Sequence, residues 1–141
     1  MSFSALQKKD FVGRQEELAA LTRRVVLAHS GQARSVVLSG PRGMGKTELL
    51  KQLFGRLFWG QDRIAPFYYS VNPALLSVQD FSRNYLIRFL CQRIAYDKKE
   101  QSLLQLDGIS LADASSLMEE RGATWASGLL EQYDRSSGDP V

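Results

Sequence analysis

Residues 40–47, GPRGMGKT, constrain the fold more than any other stretch, because three glycines precede Lys46 and Thr47. Glycine adopts positive φ without a Cβ clash, so this spacing lets several backbone N–H groups point into one concavity. Before it, SVVLS at 35–39 is a short apolar run rich in β-branched residues, which predicts a buried strand. From Lys46 onward, apolar residues recur at helical spacing. A glycine-rich turn between a strand and a helix N-terminus is typical of a phosphate site.

Each residue type in this turn has a predicted role in holding a triphosphate. The Lys46 ammonium is expected to reach the β- and γ-phosphates, and the Thr47 hydroxyl to ligate Mg²⁺, which takes few protein ligands. Pro41 has no N–H to donate and only stiffens the turn, whereas Arg42 is expected to point outward. The predicted cofactor-binding residues here are Gly40, Pro41, Arg42, Gly43, Met44, Gly45, Lys46, Thr47 and Glu48, with Thr47 also the metal ligand.

The remainder of the chain predicts mainly helices. One helix follows FVG at 11–13, with acidic residues in its first turn, His29 in its last, and Gly31 to end it. IAPFYYSVN at 64–72 predicts a second strand. The other predicted helices start at Lys46, run through 77–97, and cover about 111–121 and 124–134.

Charge and cysteine content exclude several classes of function. The 18 Lys and Arg stand against 15 Asp and Glu, a net charge of +3, and the positive charges are scattered rather than clustered as a nucleic-acid footprint requires. One cysteine and one histidine form neither an internal disulfide nor a metal cluster. Cys91 and His29 are interpreted as structural. The N-terminus has no long apolar run, so we expect no secretory signal or membrane anchor, and a cytoplasmic protein.

A second motif points to a family. FVGRQEEL at 11–18 resembles the box that precedes the Walker A motif, or P-loop, in AAA+-related ATPases, including STAND and archaeal-type ATPases and replication-origin initiators. GPRGMGKTELL also looks like the P-loop of those groups. The resemblance implies ATP and Mg²⁺ as cofactors. It also implies that Val12 and Gly13 flank the adenine, with Arg14 near the nucleotide.

The resemblance implies an α/β fold class, a P-loop NTPase with three α/β/α layers around a parallel sheet of strand order 5-1-4-3-2. Residues 1–34 are expected to form an adenine-side segment, and residues 35–141 the front part of the ATPase domain. The two candidate strands are not neighbours in that order. We therefore expect a fragment of a longer protein that stops before the Walker B strand.

Hydrolysis needs acidic residues to hold Mg²⁺ and to orient the attacking water. The nearest candidate after the P-loop is LLQLDG at 103–108, but Gln105 interrupts its apolar run and no second acid follows Asp107. A helix fits this stretch better than a strand. We therefore assign no catalytic residue and expect the chain to bind a nucleoside triphosphate rather than hydrolyse it. Protein partners or self-assembly are expected to involve other domains, and no membrane is implied.

Two other functions remain open from the sequence. A small-molecule or nucleotide kinase uses the same loop, although 34 residues with their own motif precede the candidate strand and no lid arginine is assignable. A non-catalytic adaptor could keep the fold without nucleotide affinity, although intact Lys46 and Thr47 argue against it. Transfer of the γ-phosphate of ATP to a metabolite, if measured, would favour the kinase over the other two functions.

Overall fold

The computed structural model of the chain describes residues 13–32, 34–74 and 77–137. Helices account for 66% of these residues, and none of them belongs to a strand. The chain divides into two compact units, one ending at Pro66 and the other beginning at Phe67. The first unit contains α1 (Gln15–His29) and α2 (Lys46–Gly60); the second contains α3 (Val78–Lys98), a 3₁₀ helix (Gln101–Gln105), α4 (Leu111–Glu120) and α5 (Thr124–Ser137).

The helix predictions are confirmed, including the signals at the ends of α1. Glu16 and Glu17 lie in its first turn and His29 in its last, where each sign of charge complements the helix dipole. Gly31 then adopts φ 77°, and the amides of Gly31 and Gln32 donate to carbonyls of the last turn at 3.1 Å. This Schellman arrangement satisfies carbonyls that would otherwise lack partners, and it ends α1.

Packing between α1 and α2 fixes the position of the glycine-rich turn. Leu18 of α1 and Leu49 of α2 are 3% and 1% exposed, and they form a cluster with the half-buried Leu21, Leu38 and Leu53. Burying each such side chain contributes about 1.5–3 kcal/mol. Because Leu38 and Leu49 flank residues 40–47 on both sides, the turn is held at both ends by this cluster.

The second unit is built on α3, against which the 3₁₀ helix, α4 and α5 pack. The Ser77 and Ser110 hydroxyls cap α3 and α4 by accepting from backbone amides at 3.0 and 3.1 Å. Gly122, at φ 69°, ends α4 and leads into α5. The fully buried core side chains of this unit are Leu90, Ala95, Ala114, Met118, Ala126 and Leu130.

A side-chain amide holds an extended segment of the second unit against α3. Gln92 is 5% exposed; its Oε1 accepts from the Tyr68 N–H and its Nε2 donates to the Tyr68 carbonyl, both at 2.8 Å. On either side of Tyr68, Phe67 and Tyr69 contact aromatic rings of α3 at centroid distances of 5.1–5.7 Å. The Tyr69 hydroxyl also donates to Asn84 Oδ1 at 2.9 Å.

The predicted fold class, three α/β/α layers with a parallel sheet, is wrong for the described residues, because neither predicted strand forms. Residues 35–39 form no strand with any described residue, and Val37 is 86% exposed. In residues 64–72, Gln92 supplies the hydrogen bonds that a neighbouring strand would give to Tyr68. A strand is stabilised by cross-strand pairing, and neither segment pairs with another strand among the described residues. Apolar runs alone therefore led to the wrong assignment.

Two further features of the second unit were anticipated as structural. Cys91 is 3% exposed, and burial raises the pKa of its thiol to about 11, so the thiol stays protonated at neutral pH and is a poor nucleophile. The stretch 101–105 is a 3₁₀ helix with Leu103 and Leu104 buried, as expected for a segment that is not a strand. None of the helices in the described part of the chain has the length and apolarity to cross a bilayer.

An ion pair joins the start of the 3₁₀ helix to the end of α4. Arg121 Nη2 donates to Glu100 Oε1 at 2.8 Å and Nε donates to Oε2 at 3.1 Å, while the Ser102 hydroxyl also donates to this carboxylate. The hydrogen bonds from Arg121 and Ser102 lower the pKa of the Glu100 carboxyl. Both side chains are only about one-third exposed or less, so solvent weakens the pair without abolishing it.

We expect Arg121→Gln to lower the free energy of unfolding by about 0.5–1 kcal/mol at neutral pH. Because folding lowers the pKa of Glu100, the ion pair contributes its full stability above the ordinary glutamate pKa of about 4.3. That contribution is lost as pH falls through the pKa of the folded state. The difference between wild type and variant should therefore shrink below about pH 4. Urea unfolding of both proteins at several pH values from about 7 to 3 measures this difference in the free energy of unfolding. Arg135→Gln, which breaks the more exposed pair with Glu131, is the control, and a pH-independent difference would contradict the assignment.

Candidate functional site

The turn at residues 40–47 adopts the backbone conformation that its glycines allow. Gly40, Gly43 and Gly45 have φ of 147°, 83° and 74°. A Cβ placed at any of the three would meet no atom within 4 Å. Glycine is therefore required here by backbone conformation rather than by crowding, because side chains disfavour positive φ.

Several backbone N–H groups of this turn have no acceptor among the described residues. Met44, whose φ is not positive, lies between two left-handed glycines, and such alternation turns successive amides toward one side. Gly45 is the N-cap of α2, and its carbonyl accepts from the Leu49 N–H at 2.9 Å. The amides from Gly43 to Thr47 donate to no acceptor in the described part of the chain. An anion at the start of α2 would satisfy them.

The Lys46 ammonium lies on the turn itself. Its Nζ donates to the carbonyl oxygens of Gly40 and Pro41, each at 2.7 Å. An ammonium has three donors, so one is left for a ligand after these two bonds. The two carbonyl partners could not be predicted, because glycine and proline carbonyls are chemically like all others and only the folded turn brings them to Nζ.

The other predicted residues differ in exposure. Pro41, Arg42 and Thr47 are exposed, and Met44 is 52% exposed. The Thr47 hydroxyl makes no hydrogen bond to another described residue, so it is open to ligation. Glu48 is half-buried and its Oε1 accepts from Gln52 Nε2 at 2.8 Å. Its carboxylate is thus partly engaged within α2.

The second motif forms the start of α1. Gly13 and Arg14 both adopt left-handed conformations, with φ of 79° and 56°, and the Arg14 carbonyl accepts from the Leu18 N–H at 3.0 Å. For a residue with a side chain, this conformation costs about 1–2 kcal/mol. The strain at Arg14 was not foreseen from the sequence, where arginine gives no such signal. Val12, predicted to lie beside the adenine, is outside the described residues.

Comparison with protein families decides the class. The family described as AAA ATPase domain matches residues 10–123, which include both the motif at 11–18 and the turn at 40–47. The chain belongs to the AAA ATPase domain family. Membership of this P-loop NTPase family implies nucleotide binding, usually together with Mg²⁺. Neither the curated proteins nor the solved structures contain a match to the chain.

The match to the AAA ATPase domain extends through α4 and so covers most of the second unit as well. It does not add a catalytic acid: Asp107 follows the 3₁₀ helix rather than a strand, so it lacks the context in which the resembled families place theirs. Among the described residues, the turn at 40–47 offers backbone N–H groups and the Lys46 ammonium.

Proposed function

We propose that the chain binds ATP with Mg²⁺, the phosphates lying at residues 40–47. The carrying observation is that the amides from Gly43 to Thr47, at the start of α2, donate to no other described residue, and that the Lys46 ammonium lies on the same turn. Such amides, together with the helix dipole, favour an anion. Lys46 would exchange one or both of its carbonyl partners for phosphate oxygens, a charge-assisted contact.

Mg²⁺ fits the same end of α2. A hard cation prefers oxygen ligands and keeps most of its waters when phosphates share its coordination. Thr47 offers an exposed hydroxyl without a partner among the described residues. When bound, the ion would neutralise charge on the β- and γ-phosphates. Thr47 is therefore proposed as the residue that holds it, and Glu48 as a neighbour in the first turn.

On the base side, we propose that residues 1–34 supply the adenine contact, with residues 35–141 supplying the phosphate turn and the following helices. Gly13 has no side chain, so its backbone allows a ring to approach closely. The strained Arg14 conformation supports a functional constraint here, because strain of this kind concentrates at ligand sites. Val12 keeps its proposed place beside the base.

We further propose the STAND or archaeal-type subgroup, on the two motifs at 11–18 and 40–47. Proteins of that kind use nucleotide binding as a conformational switch or motor. The role proposed for this chain is binding, since the described residues give no acid with an assignable part in hydrolysis.

Titration calorimetry on the whole chain tests the proposal. With Mg²⁺ present, we expect saturable binding of ATP, weaker binding of ADP, and none of AMP, because AMP lacks the phosphates that the turn would hold. GTP should bind more weakly than ATP if residues near Gly13 contact the base. No binding of ATP would refute the phosphate site, and equal affinities for ATP and GTP would refute the base contact alone.

A further inference from the structure

Three arginines, Arg23, Arg24 and Arg34, line one groove of the first unit. The groove measures about 690 Å³, is bounded by α1 and the segment after it, and is lined by Ala20, Arg23, Arg24, Leu27, Gln32 and Arg34. Among the described residues, none of the three guanidinium groups takes part in a hydrogen bond or ion pair. Within the described ranges, no acidic side chain lines this groove. Three like charges on one surface repel each other, so an anionic partner would relieve them.

An apolar groove adjoins the arginine groove and shares two of its residues. It measures about 250 Å³, and Arg24 and Arg34 line both grooves. Its remaining lining is entirely aliphatic and includes Val36 and Leu50, which are 43% and 39% exposed. The surface thus places apolar contact area beside a cationic rim, with Leu27, 49% exposed, within the rim itself.

We infer that these adjoining grooves bind an acidic, amphipathic segment of a partner protein. Aliphatic side chains of the partner would enter the groove at Val36 and Leu50, and its carboxylates would pair with Arg24 and Arg34, whose planar guanidinium groups suit bidentate contacts. The composition of the lining favours a peptide over nucleic acid. Single-stranded nucleic acid stacks its bases on aromatic side chains, and no aromatic residue in the described part of the chain lines either groove. The inferred peptide site does not require that the proposed nucleotide site be correct.

Fluorescence anisotropy with a labelled synthetic peptide tests the inference on the whole chain. The probe contains two leucines followed by three glutamates; one comparison peptide replaces the leucines with serine and another the glutamates with glutamine. We expect the first to bind and both comparisons to bind more weakly. Salt should weaken binding, since exposed charge pairs are screened. An oligo-dT strand serves as the nucleic-acid probe.

The matched variants are Arg24→Gln with Arg34→Gln, against Arg56→Gln with Arg63→Gln. Each pair removes two exposed arginines from the first unit, but only the first pair borders the grooves. The first pair of substitutions should weaken peptide binding by about 2- to 30-fold, the sum of two exposed ion pairs. The second pair should leave the affinity unchanged. Circular dichroism checks that both stay folded. Absence of peptide binding, equal effects of the two pairs, or preferred binding of oligo-dT would overturn the inference.

Discussion

Replacing Lys46 with alanine is expected to weaken ATP binding by about 10- to 150-fold, or 1.5–3 kcal/mol, the range for a hydrogen bond to a charged group. In the free chain the Nζ donates to two carbonyls of its own turn. Those bonds are exposed to water, which can replace them, so the substitution should cost little stability. The expected signature is thus a loss of affinity without a matching loss of thermal stability.

Titration calorimetry and a thermal melt on the same samples separate these effects. Lys51→Ala is the matched control, because it removes the same charge from α2 five residues beyond Lys46. We expect Lys51→Ala to retain most of the wild-type ATP affinity. If Lys46→Ala binds ATP as tightly as wild type, the lysine has no part in phosphate binding. If both variants lose affinity equally, general charge rather than the turn attracts the nucleotide.

The helices could be predicted from the sequence because their signals are local. The start of α2 follows from the change to helical spacing at Lys46, and the end of α1 from Gly31. Whether residues 35–39 and 64–72 form strands could not be predicted from those residues alone, because strand pairing depends on residues distant in the sequence. β-Branched and aromatic residues indicate that a segment could form a strand, but they do not show whether a partner strand lies beside it.

In the candidate site too, some features could be predicted from the sequence and others could not. Positive φ at Gly43 and Gly45 follows from residue type, since glycine is the residue that takes it without strain. The left-handed Arg14 and the carbonyl partners of Lys46 do not follow, because each is imposed by the fold around it. Arg23, Arg24 and Arg34 look like scattered charges in the sequence. The end of α1 brings them to one groove.

Replacing Gln92 with leucine is expected to lower the free energy of unfolding by about 2–4 kcal/mol, because two backbone groups of Tyr68 would lose their partners. Leucine is apolar and of similar size, so the substitution leaves no large cavity and the loss reports on hydrogen bonding. The side chain is 5% exposed, and water therefore has little access to replace it. Urea unfolding followed by circular dichroism measures the change.

Gln132→Leu is the control, because Gln132 is exposed on α5 and its loss should change stability by no more than about 0.5 kcal/mol. Gln92→Glu is a second test, in which the direction of the pH dependence of stability is predicted. A protonated carboxyl can both accept from the Tyr68 N–H and donate to its carbonyl, whereas a carboxylate can only accept. The folded state should therefore raise the pKa of this glutamate, so its stabilising contribution is full at low pH and is lost as pH rises through the folded value. If Gln92→Leu were as stable as wild type, Gln92 would not be what holds residues 67–69 against α3.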